Sequence, residues 1–137
     1  MFIPVFGNGD VDSPEKAKLM RDTFGLDGAM IGRATIGNPW FFNKVKMFLE
    51  KGEIIKDPSI IERVEVARRH LEMSILWKGE ILGVLETRRH YGNYFRAIPD
   101  FKKFRTGLVT ANSSSEVFSL LNLIEQNVRF KKEFIFD

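Results

Sequence analysis

At 137 residues the chain can hold one domain with a real core, or two small pieces that share one, but it is too short for a complete large enzyme. Hydrophobic content of 44% beside 28% charged residues excludes wholesale disorder, and the absence of cysteine excludes disulfides, thiolate metal sites and a cysteine acid within these residues. The net charge of +3 argues weakly for a polyanion partner, but residues 1–55 balance seven Lys/Arg against seven Asp/Glu while residues 56–137 carry 14 against 11, so the excess is local. In chain order, Phe2 to Phe6 reads as a short apolar strand closed by Gly7-Asn8-Gly9-Asp10, with Pro4 awkward inside it because proline donates nothing to a ladder. Ser13-Pro14 supplies a helix N-cap and a first-turn proline. The helix runs to about Phe24, with Ala17, Leu19, Met20 and Phe24 on one face, and Gly25 stops it. Gly28 to Gly32 reads as a second, buried strand, giving a βαβ unit of about 30 residues.

From Asn38-Pro39 the apolar spacing turns helical through Trp40, Phe41, Val45, Phe48 and Leu49, and Gly52 ends the segment. The stretch Lys51 to Ser59 is the expected boundary between a unit of residues 1–55 and one of residues 56–137. A longer helix then begins at Asp57-Pro58, with Ile60, Val64, Ala67, Leu71 and Ile75 inward and Glu65 and Arg69 outward, ending near Lys78-Gly79. The next helix, about Ile81 to Ala97, is expected to bury Leu85, Tyr91 and Phe95 and to expose Arg89, Asn93 and Arg96. A short helix at Phe101 to Thr106 follows, and then a final one whose capping box is Ser113 with Glu116 and whose inner residues are Val117, Leu120, Leu121 and Ile124. Arg129 to Asp137 carries no assignable period. No apolar run approaches the roughly 18 residues that span a bilayer, and the start MFIPVFGNGD lacks a basic n-region and a cleavage site, so a cytoplasmic protein is expected.

Two places can carry chemistry. Gly7-Asn8-Gly9-Asp10 and Gly32-Arg33 both follow short strands, where loops of parallel α/β units bind ligands; glycine lets a phosphate approach the backbone and Arg33 can add a charge-assisted contact. On spacing alone, tight turns with a surface arginine explain them equally well. The second place is Glu86-Thr87-Arg88-Arg89-His90-Tyr91, inside the stretch 88–105 that holds Arg88, Arg89, Arg96, Lys102, Lys103 and Arg105 against the single acid Asp100. It reads either as a solvated helix face or as phosphate contacts with Tyr91 and Tyr94 as aromatic surface. His70 and His90 lack a further ligand at metal-site spacing, so no metal is expected, and Trp40 and Trp77 read as core aromatics.

The strings IPVFGNGDVDSPEKA and GLDGAMIGRATIGNPWFF closely resemble the end of the barrel in the tRNA-dihydrouridine synthase family, and the resemblance extends over nearly the whole chain. It implies an α+β, mostly α fold: a βαβ remnant of the end of a TIM barrel (1–55), then a C-terminal helical bundle, basic and tRNA-binding (56–137). It implies FMN as cofactor with NADPH as its reductant, and FMN contacts from Asn8, Gly9 and Asp10 and from Gly32 and Arg33. It also implies a tRNA face drawn from Arg88, Arg89, His90, Asn93 and Arg96. The family's proton-donating cysteine sits on an earlier barrel loop, so this chain by itself is expected to be inactive, to hold FMN weakly and to self-associate through its strands. Two alternatives stand beside this: the end of another FMN barrel reductase, and a stand-alone helical RNA-binding or protein-interaction module.

Overall fold

The computed structural model describes residues 2–133, side chains through 131. It divides into two compact units, residues 1–57 and 58–137. The chain is mostly helical, with one small parallel sheet.

The first unit runs β1 (Phe6–Asn8), α1 (Pro14–Phe24), β2 (Gly28–Met30), a 3-10 turn (Arg33–Thr35) and α2 (Trp40–Lys51). Ser13 caps α1 by accepting from Lys16 N–H, Pro14 fills the first turn, and Gly25 closes the helix in the left-handed conformation (φ 61°). β1 pairs in parallel with β2 in the register Phe6 to Gly28, Gly7 to Ala29 and Asn8 to Met30. Side chains lie close over both glycines of that pairing and would have to move to admit a Cβ. A Cβ on Gly28 would lie 2.6 Å from the Phe6 ring, and one on Gly7 would lie 2.2 Å from Leu26 Cδ1. The strand begins later than the expected Phe2: Val5 spends its N–H on Asp27 Oδ2 (2.7 Å) and its carbonyl on Asp27 N–H (2.9 Å), and the donorless Pro4 precedes it. The core of this unit is Val11, Ala17, Phe41 and Val45, with Met20, Ala29, Ile31, Ala34 and Leu49 against it. Leu19 and Phe24, expected on the buried face of α1, are exposed, and neither strand is buried, because a two-stranded sheet has few neighbours to cover it.

The second unit holds α3 (Ile60–Lys78), α4 (Glu80–Tyr94), α5 (Lys102–Thr110) and α6 (Ser114–Glu133). α3 packs on α4 and α6, and α5 packs on α4 and α6. A capping box that the sequence reading passed over starts α3: Ser59 Oγ accepts from Glu62 N–H while the Glu62 carboxylate accepts from Ser59 N–H. Gly79, at φ 82°, is the whole turn between α3 and α4. Four residues later Gly83 lets the two helices close up, since a Cβ there would sit 2.8 Å from the Ile75 backbone. Leu71, Tyr91, Phe95, Leu108, Leu121 and Ile124 fill the interior.

Several expectations change here. The buried stripe of α4 passes through Val84, Thr87, Tyr91 and Tyr94 and leaves Leu85 exposed; Thr87 tolerates burial because its hydroxyl donates within the helix to Gly83 and Val84 carbonyls. Trp77 is 81% exposed beside the Gly79 turn, not a core aromatic. α4 stops at Tyr94, α5 extends to Thr110, and α6 continues into the unassigned tail as far as Glu133. Glu116 reaches Asn112 N–H instead of Ser113 N–H, so only the Ser113 half of the expected box is formed. Residues 134–137 of the tail lie outside the described residues.

Candidate functional site

The parallel register of β1 and β2 brings their C-terminal ends side by side, and with them the turns Asn8-Gly9-Asp10 and Gly32-Arg33. Arg33 Nη2 hydrogen-bonds Asp10 Oδ1, tying the two turns together. That hydrogen bond and the guanidinium charge hold the Asp10 carboxyl below its ordinary range, and the same contact raises Arg33. Asp10 takes a left-handed backbone (φ 46°), which turns the chain from strand to helix. Asn8, Gly9, Asp10, Gly32 and Arg33 are all exposed, and a Cβ on Gly32 would meet nothing within 4 Å. The turns thus present two open glycine backbones beside an arginine fixed on one edge of its fork, an arrangement suited to a phosphate.

The second candidate face changes more. Arg88 is turned inward: its guanidinium donates to Ala111 carbonyl at 2.5 and 3.2 Å, to Thr110 carbonyl at 3.3 Å and to Asn112 Oδ1 at 3.0 Å. It closes the C-terminus of α5, where a cation also suits the helix dipole. On the same helix Glu80 accepts from Ser114 N–H at 2.7 Å, capping the start of α6. One helix therefore supplies a base to one neighbour's end and an acid to the next neighbour's beginning.

His90 is half-buried, its ring edge-to-face with His70 at 4.5 Å between centroids, and His70 Nδ1 lies 3.0 Å from the Tyr94 hydroxyl. Burial, then the His70 and Arg89 charges, pushes His90 down to about 4, so it is neutral near pH 7 and adds no charge to the surface; Arg89 Nε donates to its Nε2 at 3.4 Å. Tyr91 and Tyr94, expected as aromatic surface, are buried. Arg89 and Asn93 do share the exposed side of α4, while Arg96 lies beyond the helix end at the corner leading to α5. Three further exposed cations, Lys102, Lys103 and Arg105 on α5, lie outside the expected tRNA face; their density in stretch 88–105 was the signal in the sequence. Among the described residues, no three His, Cys, Asp or Glu converge as a metal site, and no helix is long and apolar enough to cross a membrane.

The family model for dihydrouridine synthases matches residues 1–134, both turns and all four helices of the second unit included. The chain belongs to the dihydrouridine synthase family. Among its relatives in that family, tRNA-dihydrouridine synthase B of Pseudomonas putida is 41% identical over 103 residues, 75% of this chain and 31% of the relative. The Shewanella oneidensis protein of the same name is 36% identical over 119 residues (87% and 37%), and that of Pasteurella multocida 34% over 135 residues (93% and 41%). The chain thus spans about a third of the length of the family members it matches.

Proposed function

We propose that these residues are the C-terminal part of a tRNA-dihydrouridine synthase, an FMN- and NADPH-dependent reductase of uridine in tRNA that works in the cytoplasm. In this reading the first unit comes from the end of a TIM barrel and holds the FMN phosphate, and the second unit contacts tRNA. The observation that carries it is the joining of the two turns by Asp10 and Arg33 at the ends of adjacent parallel strands, in a chain whose family match covers residues 1–134. The residues present fit a phosphate: Gly9 and Gly32 leave their backbones open, and Arg33 carries the counter-charge while Asp10 orients it. Asn8 adds an amide donor at the same edge. Bound FMN would supply hydride for reduction of the uridine C5=C6 bond. No residue here can be the cysteine acid, since the chain has none, so the chain alone is inactive and any proton donor of that kind comes from outside these residues. The reading needs no metal.

The test is a chimera in which this chain replaces the matching third of the Pseudomonas putida relative. We expect it to purify with bound FMN and to form dihydrouridine in tRNA, and Arg33→Ala to weaken FMN retention roughly 10- to 100-fold, as loss of a charge-assisted contact does. A chimera that binds no flavin overturns the proposal. The chain by itself should show little FMN absorbance, because an exposed pair of turns is not a preformed pocket. It should also self-associate through the first unit, whose strands, among the described residues, pair only with each other and whose Phe2, Ile3, Phe6 and Met30 are exposed. Light scattering checks this: a monomer at high concentration, or equal association by residues 56–137 alone, removes the strands as the cause.

A further inference from the structure

The sequence of α5, KKFRTGLVT, contains three cations and no acid. Leu108 and the following Ala111 are buried and Phe101 and Phe104 are half-buried, so the helix has one face in the core. Lys102, Lys103, Arg105 and Thr106 take the exposed side, with Lys103 Nζ 5.0 Å from the Phe104 ring centroid. The position of the lysines does not favour the helix dipole. They occupy its first turn, where an acid is favoured and a cation opposes the helix dipole, and Phe101 offers no side-chain cap. The one acid of stretch 88–105, Asp100, accepts a hydrogen bond from Lys131 of α6 at 2.9 Å, and its carboxyl is held low first by that contact, with a smaller contribution from the Lys103 charge. Among the described residues, no carboxylate forms an ion pair with Arg96, Lys102, Lys103 or Arg105.

The corner that carries these cations is held in place from three sides. Phe101 packs on the buried Phe95 at 5.3 Å between centroids, Arg63 Nη1 donates to the Arg96 carbonyl at 3.1 Å, and the Lys131 contact ties Asp100 to α6. Ala97 and Asp100 both adopt φ 61°, a conformation that persists in non-glycine residues only where such contacts over-determine it. Four cations mounted on a fixed backbone, with Asp100 the single acid among them and paired to Lys131, match a run of phosphates. They do not match a protein interface, whose centre is poor in lysine and rich in aromatic and apolar area.

Resting on the reading of the second unit as tRNA-binding, we infer that its grip on the RNA backbone is the α4–α5 corner, with Arg96, Lys102, Lys103 and Arg105 as phosphate contacts. The α4 face of Arg89 and Asn93 is a neighbour of this grip and not its centre. Since the nearby tyrosines are buried, the corner holds sugar and phosphate without reading bases.

The test is binding of an unmodified tRNA transcript to the whole chain across a salt series. Lys102→Ala/Lys103→Ala/Arg105→Ala should lower affinity roughly tenfold or more and reduce the slope of log K against log salt by about 2 to 3, one lost counterion-release term per contact. Lys102→Arg/Lys103→Arg/Arg105→Lys should keep the slope. Arg89→Ala/Asn93→Ala should change it by about one unit. Unchanged affinity and slope in the triple alanine variant overturns the inference, and gives the patch to acids of a protein partner; if Arg89→Ala/Asn93→Ala then abolishes binding, the tRNA reading stands without it. A chain with no measurable tRNA affinity overturns both. Matching circular dichroism of the variants excludes unfolding as the cause.

Discussion

The two units use the same local devices and reach different degrees of closure. Each starts a helix on a serine cap, Ser13 or Ser59, and each ends one on a glycine, Gly25 or Gly79. Yet the second unit seals Leu71, Phe95, Leu108 and Leu121 completely, whereas the first keeps a core of four buried residues and leaves Phe2, Ile3, Phe6, Phe24 and Met30 in solvent. Four helices that pack in a ring of neighbours can cover one another's apolar stripes. Two strands and two helices cannot cover both faces of a sheet, however well each helix is capped. The second unit is not free of apolar surface, since Leu76, Trp77, Ile81 and Leu82 are exposed around Gly79, but that surface lies outside a finished interior.

The largest test of this contrast is side-chain truncation. Phe95→Ala should cost about 3 to 5 kcal/mol, a transfer and cavity loss at a fully buried ring, seen as a lower urea midpoint in helical circular dichroism. Phe6→Ala, at a ring 69% exposed, should stay within about 0.5 kcal/mol. Similar costs at the two sites would break the comparison. Glycine replacement comes next. Gly83→Ala should cost about 1 to 3 kcal/mol because helix backbone lies in the way, while Gly32→Ala, in open space, should leave stability unchanged within about 0.5 kcal/mol.

Caps should differ in kind. Ser13→Ala should cost about 1 kcal/mol. Loss of Glu80 should speed amide exchange at Ser114, on a helix other than its own. A Glu80→Ala variant with unaltered exchange there would show that the bond across helices is not a cap.

A separate effect is on pH. His90 sits at about 4 in the folded chain against an ordinary value near 6.5, so between those values the unfolded chain binds the extra proton and stability falls as pH falls. His70 is lowered as well, first by burial and then by Lys78 and Arg89. The carboxylates Glu62, Glu80, Glu86 and Glu125 are also lowered and act at the acid end of this range and below it. His90→Gln should therefore flatten the decline in urea midpoint between about pH 6.5 and 4.5. An unchanged decline would move the cause to other groups.

Helix positions were legible in the sequence wherever the governing interaction is local. Pro14 to Phe24 was bounded by a serine cap, a proline and a glycine, and Trp40 to Lys51 by a proline and a glycine, all acting within one turn, and their ends agree with the structure. The chain reversals after the two strands were legible for the same reason, although Gly7 and Asn8, expected in the first turn, pair within β1. What the sequence could not decide was which side of a helix finds a partner. Leu85 and Thr87 look apolar and polar in a list of residues, but the surface offered by α3 exposes the first and buries the second. Trp77 reads as core until the Gly79 turn puts it at an end with nothing over it. Arg88 and Arg89 are adjacent and alike in sequence, and 100° of helix rotation sends one to the carbonyls of α5 and the other to solvent. Sequence alone therefore determined the Ser13 cap, the spans of α1 and α2, the glycine stops at Gly25, Gly52 and Gly79 and the location of the charge excess, each set by contacts within a few residues. Only tertiary structure decided which arginine is structural, that both histidines share one half-buried seam, and that Asp10 meets Arg33, because those depend on surfaces brought together from distant parts of the chain.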